Sequence, residues 1–84
     1  MLVVEGVVVQ VPRLEPVASS SIAAVGYDAA AQILHVRFVS GQAYLYHGVP
    51  GQVHAHLLAA ESKGAYFNRA IRDVYPFQRL GRHG

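Results

Sequence analysis

Aromatic, basic and imidazole side chains lie close together in two segments of the chain that alternate as β-strands do. The segments are 32–39 and 42–47, and a short turn joins them in which Gly41 supplies the positive φ of a tight hairpin. With a two-residue loop, one face of this hairpin carries His35, Arg37, Val39, Gln42, Tyr44 and Tyr46. Because aromatic rings stack on bases and arginine binds phosphate, this face is a candidate nucleic-acid-binding surface.

The register of the hairpin decides whether that face is open. With the two-residue loop, the opposite face carries the apolar side chains Leu34, Val36, Phe38, Ala43 and Leu45. A three-residue loop shifts the pairing, and Tyr44 and Tyr46 then join the apolar side chains of segment 34–38 in the core. The tyrosines therefore have either a binding role or a structural role.

The basic side chains are concentrated in the second part of the chain. Residues 1–30 hold one arginine and three carboxylates, whereas residues 31–84 hold six basic side chains and two carboxylates. A phosphate-binding surface needs such an excess, so Lys63, Arg69 and Arg72 join the candidate nucleic-acid-binding residues. A solvated helix face is the alternative explanation for the same charges.

The chain lacks the usual signatures of catalysis and metal binding. His54 and His56 are two residues apart, which directs their rings to different sides of a helix, whereas a helical metal pair needs a spacing of four. There is no cysteine, no nucleophile motif and no phosphate-binding loop. We therefore expect a protein that is not an enzyme, with no catalytic residues, no metal and no cofactor.

The elements that must position these side chains follow one another along the chain. The pattern predicts strands over 22–27, 32–39 and 42–47, then helices over 50–60 and 63–75. Ser62 is the predicted N-cap of the second helix, whose apolar stripe is Phe67, Ala70, Ile71 and Val74. This order predicts an α+β fold, an antiparallel three- to four-stranded meander followed by two short helices packed on one face.

The N-terminal part differs in composition from the rest. Residues 2–11 are rich in valine and are predicted to form a strand, and Pro12 and Pro16 mark a linker after it. We therefore divide the chain into a Val-rich strand and Pro-containing linker (1–18), a compact domain (19–80) and a flexible tail (81–84). A Val-rich strand left open is prone to pair with another chain, so the alternative function is self-association as a homodimer through this strand.

Several short motifs, taken in order, resemble the KTSC domain family. They are Ser20-Ser21-Ile22, Gly26-Tyr27-Asp28, residues 34–38, Tyr44-Leu45-Tyr46, Val49-Pro50, residues 60–68 and Ile71-Arg72. That family is named for the C-terminus of certain lysyl-tRNA synthetases, also occurs as small bacterial and phage proteins, and has Tyr-x-Tyr as its signature. The resemblance spans residues 19–75 and implies a small domain for which RNA binding has been suggested through the synthetase.

Size and composition narrow the class of protein. The chain has 84 residues, of which 52% are hydrophobic and 14% charged, a balance that favours one folded domain over a disordered segment. No apolar run approaches the roughly 18–20 residues of a membrane-spanning helix, and the pattern of the first residues does not predict a secretory signal. We expect a cytoplasmic protein whose partner is RNA or another polyanion, or a second copy of the chain, and not a membrane.

Overall fold

The computed structural model describes residues 2–4, 7–9 and 11–82. Its elements are β1 (Leu2–Val4), β2 (Val7–Val9), β3 (Glu15–Pro16), β4 (Ile22–Asp28), β5 (Ile33–Phe38), β6 (Gln42–His47), α1 (Gly51–Ala59), α2 (Lys63–Ala70) and β7 (Phe77–Arg82). Strands β3 to β7 form one antiparallel sheet in sequence order, and β1 and β2 form a separate antiparallel pair. The α+β fold is therefore confirmed, with the predicted meander as β4, β5 and β6.

Two strands extend the sheet beyond the predicted meander. Strand β3 pairs with β4 at one edge, and β7 pairs with β6 at the other after the chain has passed through both helices. Strand β7 was not predicted because Pro76 precedes it and its sequence, FQRLGR, does not alternate between apolar and polar residues. Gly81 and Arg82, predicted to lie in a flexible tail, instead belong to β7, while residues 83–84 lie outside the described residues.

The prediction of one N-terminal strand over residues 2–11 is wrong. Leu2–Val4 and Val7–Val9 are two strands that pair antiparallel, with Leu2 opposite Val9. Valine favours extended backbone in both segments, but the run of valines by itself does not predict that the two segments pair with each other. Residues 5, 6 and 10 of the predicted strand lie outside the described residues, and the domain boundary at 18–19 stays a prediction.

The β5–β6 hairpin adopts the register of the three-residue loop. Val36 pairs with Tyr44 and Leu34 with Tyr46, and residues 39–41 form the loop. Gly41 has φ of 98°, and its amide donates a hydrogen bond to the carbonyl oxygen of Phe38 at 2.9 Å. The register with a two-residue loop, which placed the tyrosines opposite the apolar face, is therefore wrong.

The helices pack on the sheet face that carries the two tyrosines. The buried core there comprises Ile22, Val25, Leu34, Val36, Tyr46, Val49, Leu57, Phe67 and Ile71. The predicted N-cap is confirmed, since the Ser62 hydroxyl accepts a hydrogen bond from the amide of Ala65 at 3.2 Å. Helix α2 ends at Ala70, earlier than predicted, so Val74 lies in a turn and is 60% exposed rather than part of the core.

The opposite face of the sheet is covered as well. Ile33, His35, Ala43 and Leu45 are all buried on it. The Nδ1 atom of His35 lies 2.9 Å from the carbonyl oxygen of Pro12, so the segment before β3 crosses this face. A Cβ at position 26 would collide with the carbonyl oxygen of Arg13, which explains the glycine at that position.

Candidate functional site

A concave pocket of about 420 Å³ opens where the end of α2 faces strands β6 and β7. It is lined by Phe38, Gln42, Tyr44, Tyr46, Phe67, Asn68, Arg72, Asp73 and Phe77. Its volume falls within the range of about 300–1,000 Å³ that is common for sites that bind small molecules. We call it the aromatic pocket.

Aromatic rings form the floor and one wall of the aromatic pocket. The ring centroid of Tyr46 lies 5.3 Å from that of Phe67 and 5.8 Å from that of Phe77, and Tyr44 lies 5.7 Å from Phe77. The pairing of β6 with β7 creates this cluster by placing Phe77 opposite Tyr46. Tyr46 is 4% exposed, whereas Phe77 is 56% exposed, so Phe77 presents an open ring surface beside a buried floor.

The hydroxyl of Tyr46 is the polar group at the floor of the aromatic pocket. This hydroxyl has no hydrogen-bond partner among the described residues. Since no fully buried side-chain polar atom of the described residues lacks a partner, the hydroxyl is not fully buried and solvent reaches it. Burial, with smaller contributions from the neighbouring Tyr44 and Asp73, raises the pKa of Tyr46 to about 12, although Arg72 acts in the opposite direction. The hydroxyl is therefore protonated near neutral pH and is able to donate a hydrogen bond to a ligand.

Polar side chains surround the mouth of the aromatic pocket. Asn68, Arg72 and Asp73 are exposed there, and the Tyr44 hydroxyl donates a hydrogen bond to Oε1 of Gln42 at 3.1 Å. Within the described part of the chain, neither Arg72 nor Asp73 forms an ion pair. Their charges are therefore available to a ligand, with a cation and an anion beside an aromatic surface.

The structure brings together three of the seven predicted binding residues, namely Tyr44, Tyr46 and Arg72. They meet in a pocket rather than on an open sheet, because the hairpin register turns both tyrosines toward the helices. His35 and Arg37 lie on the opposite sheet face, where His35 is buried against the backbone of Pro12. The prediction that all four hairpin residues lie on one binding face is therefore wrong.

The two other predicted residues of α2 have contacts of their own. The Nζ atom of Lys63 donates a hydrogen bond to the carbonyl oxygen of Ala60 at 3.3 Å, just after the end of α1. The guanidinium of Arg69 lies over the ring of Tyr66, 5.5 Å from its centroid. Neither residue lines the aromatic pocket.

Sequence reasoning missed several residues of the aromatic pocket. Phe67 and Asn68 belong to the motifs that carry the family resemblance, and that was the available signal for them. Asp73 was not among the predicted binding residues, and Phe77 lies in the strand that was not predicted. Neither has a local pattern that points to a site, because only the packing of β7 beside β6 brings Phe77 to the tyrosines.

The histidines of α1 lie in different environments, as their spacing predicts. The ring of His54 stacks on that of Tyr27 at 4.6 Å, and burial lowers the pKa of His54. The ring of His56 instead meets the edge of Tyr66 at 6.3 Å. Across residues 2–4, 7–9 and 11–82, no group of three histidine, cysteine or acidic side chains is placed to hold a metal ion, and no helix is long and apolar enough to cross a membrane.

These features define a small α+β domain in which two helices and a five-stranded sheet enclose an aromatic pocket. The family model of the KTSC domain matches residues 18–75. A crystal structure of a KTSC domain protein from Yersinia pestis has a TM-score of 0.80 at 32% sequence identity and covers 84% of this chain and 100% of that one. The chain belongs to the KTSC domain family.

Similar bacterial proteins fall into two kinds. A protein of Tsukamurella paurometabola is 51% identical over 62 residues, which span 74% of this chain and 92% of that protein. A lysine–tRNA ligase of Nostoc punctiforme is 37% identical over 73 residues, which span 87% of this chain but 13% of the ligase. The similar region is thus nearly the whole of a small protein in one case and a small part of a large enzyme in the other.

Proposed function

We propose that this protein is a non-catalytic RNA-binding module that holds an unpaired base of single-stranded RNA in the aromatic pocket. The observation that carries the proposal is the meeting of Tyr44, Tyr46 and Phe77 with Arg72 in one concave site. Base stacking on aromatic side chains and arginine contacts to phosphate are the two interactions on which single-strand recognition relies.

The aromatic part of the pocket suits a flat ligand. Phe77 is 56% exposed and lies beside the buried ring of Tyr46, with the centroids 5.8 Å apart, so the ring of Phe77 offers a stacking surface at the pocket. Every base has a flat π-surface, and stacking on an aromatic side chain contributes roughly 1–3 kcal/mol per base. We therefore expect binding to depend strongly on Phe77 and to tolerate different base sequences.

The polar part of the pocket suits the edge of a base and its phosphate. The Tyr46 hydroxyl, which has no hydrogen-bond partner among the described residues, is available as a donor, and Asn68 adds an amide at the mouth. Arg72, which has no ion-pair partner within the described residues, is available for the phosphate. Asp73 accepts hydrogen bonds from the amino or imino groups of a base.

The raised pKa of the Tyr46 hydroxyl favours binding over catalysis in the aromatic pocket. With its pKa at about 12, the Tyr46 hydroxyl is a poor proton donor or acceptor for chemistry near neutral pH.

The similarity to a small part of lysine–tRNA ligases supports RNA as the ligand, because those enzymes act on an RNA. Self-association through an open N-terminal strand has less support, because β1 has a partner in β2.

The test is the binding of a labelled oligouridylate at low salt, measured by fluorescence anisotropy. We expect Phe77→Ala to weaken binding by about five- to hundredfold, which corresponds to the loss of one stacking contact. Val74→Ala, a change at a similarly exposed apolar side chain outside the pocket, should leave binding unchanged.

A pair of arginine variants separates the pocket from general charge attraction. Arg72→Gln should weaken binding and reduce the salt dependence by about one counterion, whereas Arg37→Gln removes the same charge on the other sheet face and should do neither. Equal effects of the two variants, or no binding by the unmodified protein at low salt, would refute the proposal.

A further inference from the structure

A second cavity, of about 460 Å³, lies between the end of α1 and the outer side of α2. Its lining includes the aromatic and basic side chains of His56, Tyr66 and Arg69, together with the carboxylate of Glu61. The guanidinium of Arg69 lies 5.5 Å from the centroid of the Tyr66 ring, and the ring planes of His56 and Tyr66 are 88° apart. We call it the Tyr66 pocket.

The Tyr66 pocket keeps its binding groups available. Arg69 and His56 are exposed, and Arg69 forms no ion pair with Glu61 or any other described carboxylate. An arginine held over an aromatic ring keeps its N–H groups at the edge of the guanidinium plane, where they are able to bind phosphate. Arg69 is thus positioned by Tyr66 rather than by a negative charge.

Helix α2 lies between the two pockets and contributes to both. Asn68 lines the aromatic pocket, and the next residue, Arg69, lines the Tyr66 pocket. Successive helical residues project about 100° apart, so these two side chains point to neighbouring sides of the same helix. Within the described residues neither Arg72 nor Arg69 has an ion-pair partner, so each pocket has one guanidinium available to a phosphate.

We infer that the Tyr66 pocket is a second nucleotide subsite for the same RNA strand, in which Arg69 binds a phosphate and Tyr66 and His56 contact the neighbouring base. This inference rests on the proposed function, because it assumes that the aromatic pocket binds the first nucleotide. It adds that the strand crosses α2 and that recognition requires more than one nucleotide.

The test compares uridine monophosphate with short oligouridylates of two to six nucleotides in NMR titrations of the full chain. We expect the monophosphate to shift the amide signals around Phe77, and the longer ligands also to shift those of Tyr66 and Arg69. Arg69→Gln should weaken oligouridylate binding by a factor of about five or more, with little effect on the monophosphate. Arg37→Gln is the charge-matched control.

Tyr66→Leu provides a second variant, because it keeps an apolar side chain at this half-buried position and removes the aromatic ring. It should also weaken oligouridylate binding selectively. If Phe77→Ala weakens binding while Arg69→Gln and Tyr66→Leu do not, the second subsite is refuted and the proposed function stands. Equal losses for monophosphate and oligouridylate also refute the second subsite, and the absence of any RNA binding refutes both.

Discussion

Ionisation of Tyr46 is expected to destabilise the folded domain at alkaline pH. Burial raises its pKa from 10.0 to about 12. Since the folded state holds the phenolic proton more tightly than the unfolded chain does, the stabilising contribution is complete below about pH 10 and is lost as the pH rises toward about 12. The free energy of unfolding should therefore fall in this range.

The size of the effect follows from the two pKa values. Their difference corresponds to about 2.7 kcal/mol once the phenol is ionised in both states, and to about 1.4 kcal/mol at about pH 11. Because solvent reaches the hydroxyl from the aromatic pocket, screening reduces this value, and we expect a measured loss of about 1 kcal/mol at about pH 11.

Urea unfolding at about pH 8 and about pH 11 measures this loss. The comparison is with Tyr46→Phe, which keeps the buried ring and removes the ionisable group, so that contributions of other tyrosines and of lysine cancel. Tyr27, whose pKa burial also raises, is present in both proteins. A loss of stability that is the same in both proteins would refute the assignment of the raised pKa to Tyr46.

The neighbours of Tyr46 provide a test of sign. Arg72 lowers the pKa of Tyr46 and Asp73 raises it, so Arg72→Gln should raise that pKa and Asp73→Asn should lower it. Tyrosinate absorbance, measured as the difference between each variant and the same variant carrying Tyr46→Phe, reports the titration. Shifts in the same direction, or no shifts, would show that these charges do not lie beside the hydroxyl.

Two further predictions concern the fold and use urea unfolding as the measurement. Leu57→Ala, at a fully buried core position, should lower the free energy of unfolding by about 2–5 kcal/mol. Leu58→Ala, at the neighbouring 42% exposed position, should change it by less than about 0.5 kcal/mol. Similar losses for the two variants would contradict the packing of α1. Gly26→Ala should lower the free energy of unfolding by about 1–3 kcal/mol, because the added methyl group collides with the backbone of Arg13. Gly51→Ala is the control and should leave stability unchanged, because its methyl group lies at an ordinary contact distance of 3.8 Å from the Tyr27 hydroxyl. A neutral Gly26→Ala would mean that the segment before β3 does not cross the sheet.

Local features of the fold could be predicted because their signals are local. Alternation located β4 to β6 to within one or two residues, and the helical period located α1. Ser62 was predicted as an N-cap from its type and position, and its hydroxyl makes that bond. Strand β7 has no such signal, since its extended backbone depends on its pairing with β6.

The residues of the aromatic pocket could be predicted only in part. Tyr44 and Tyr46 were selected for their chemistry and Arg72 for its charge, and all three line it. His35 and Arg37 were selected with them because the register of the two-residue loop places all four side chains on one face of the hairpin. A shift of the register by one residue moves the side chains of one strand to the opposite face relative to the other strand. The alternative with the three-residue loop was available from the sequence, which left both registers open.

The amino-acid sequence by itself determined the α+β class, the β4–β6 meander and the residue types from which a binding site could be built. The tertiary structure decided which face of the hairpin the tyrosines occupy, and it brought Phe77 to them through β7. The physical reason is that propensity and periodicity act between near neighbours in the chain, whereas register and pocket shape depend on which surfaces are buried together. Both faces of the sheet are covered, so the burial of Leu45 and Ala43 on one side is compatible with Tyr46 in the core on the other.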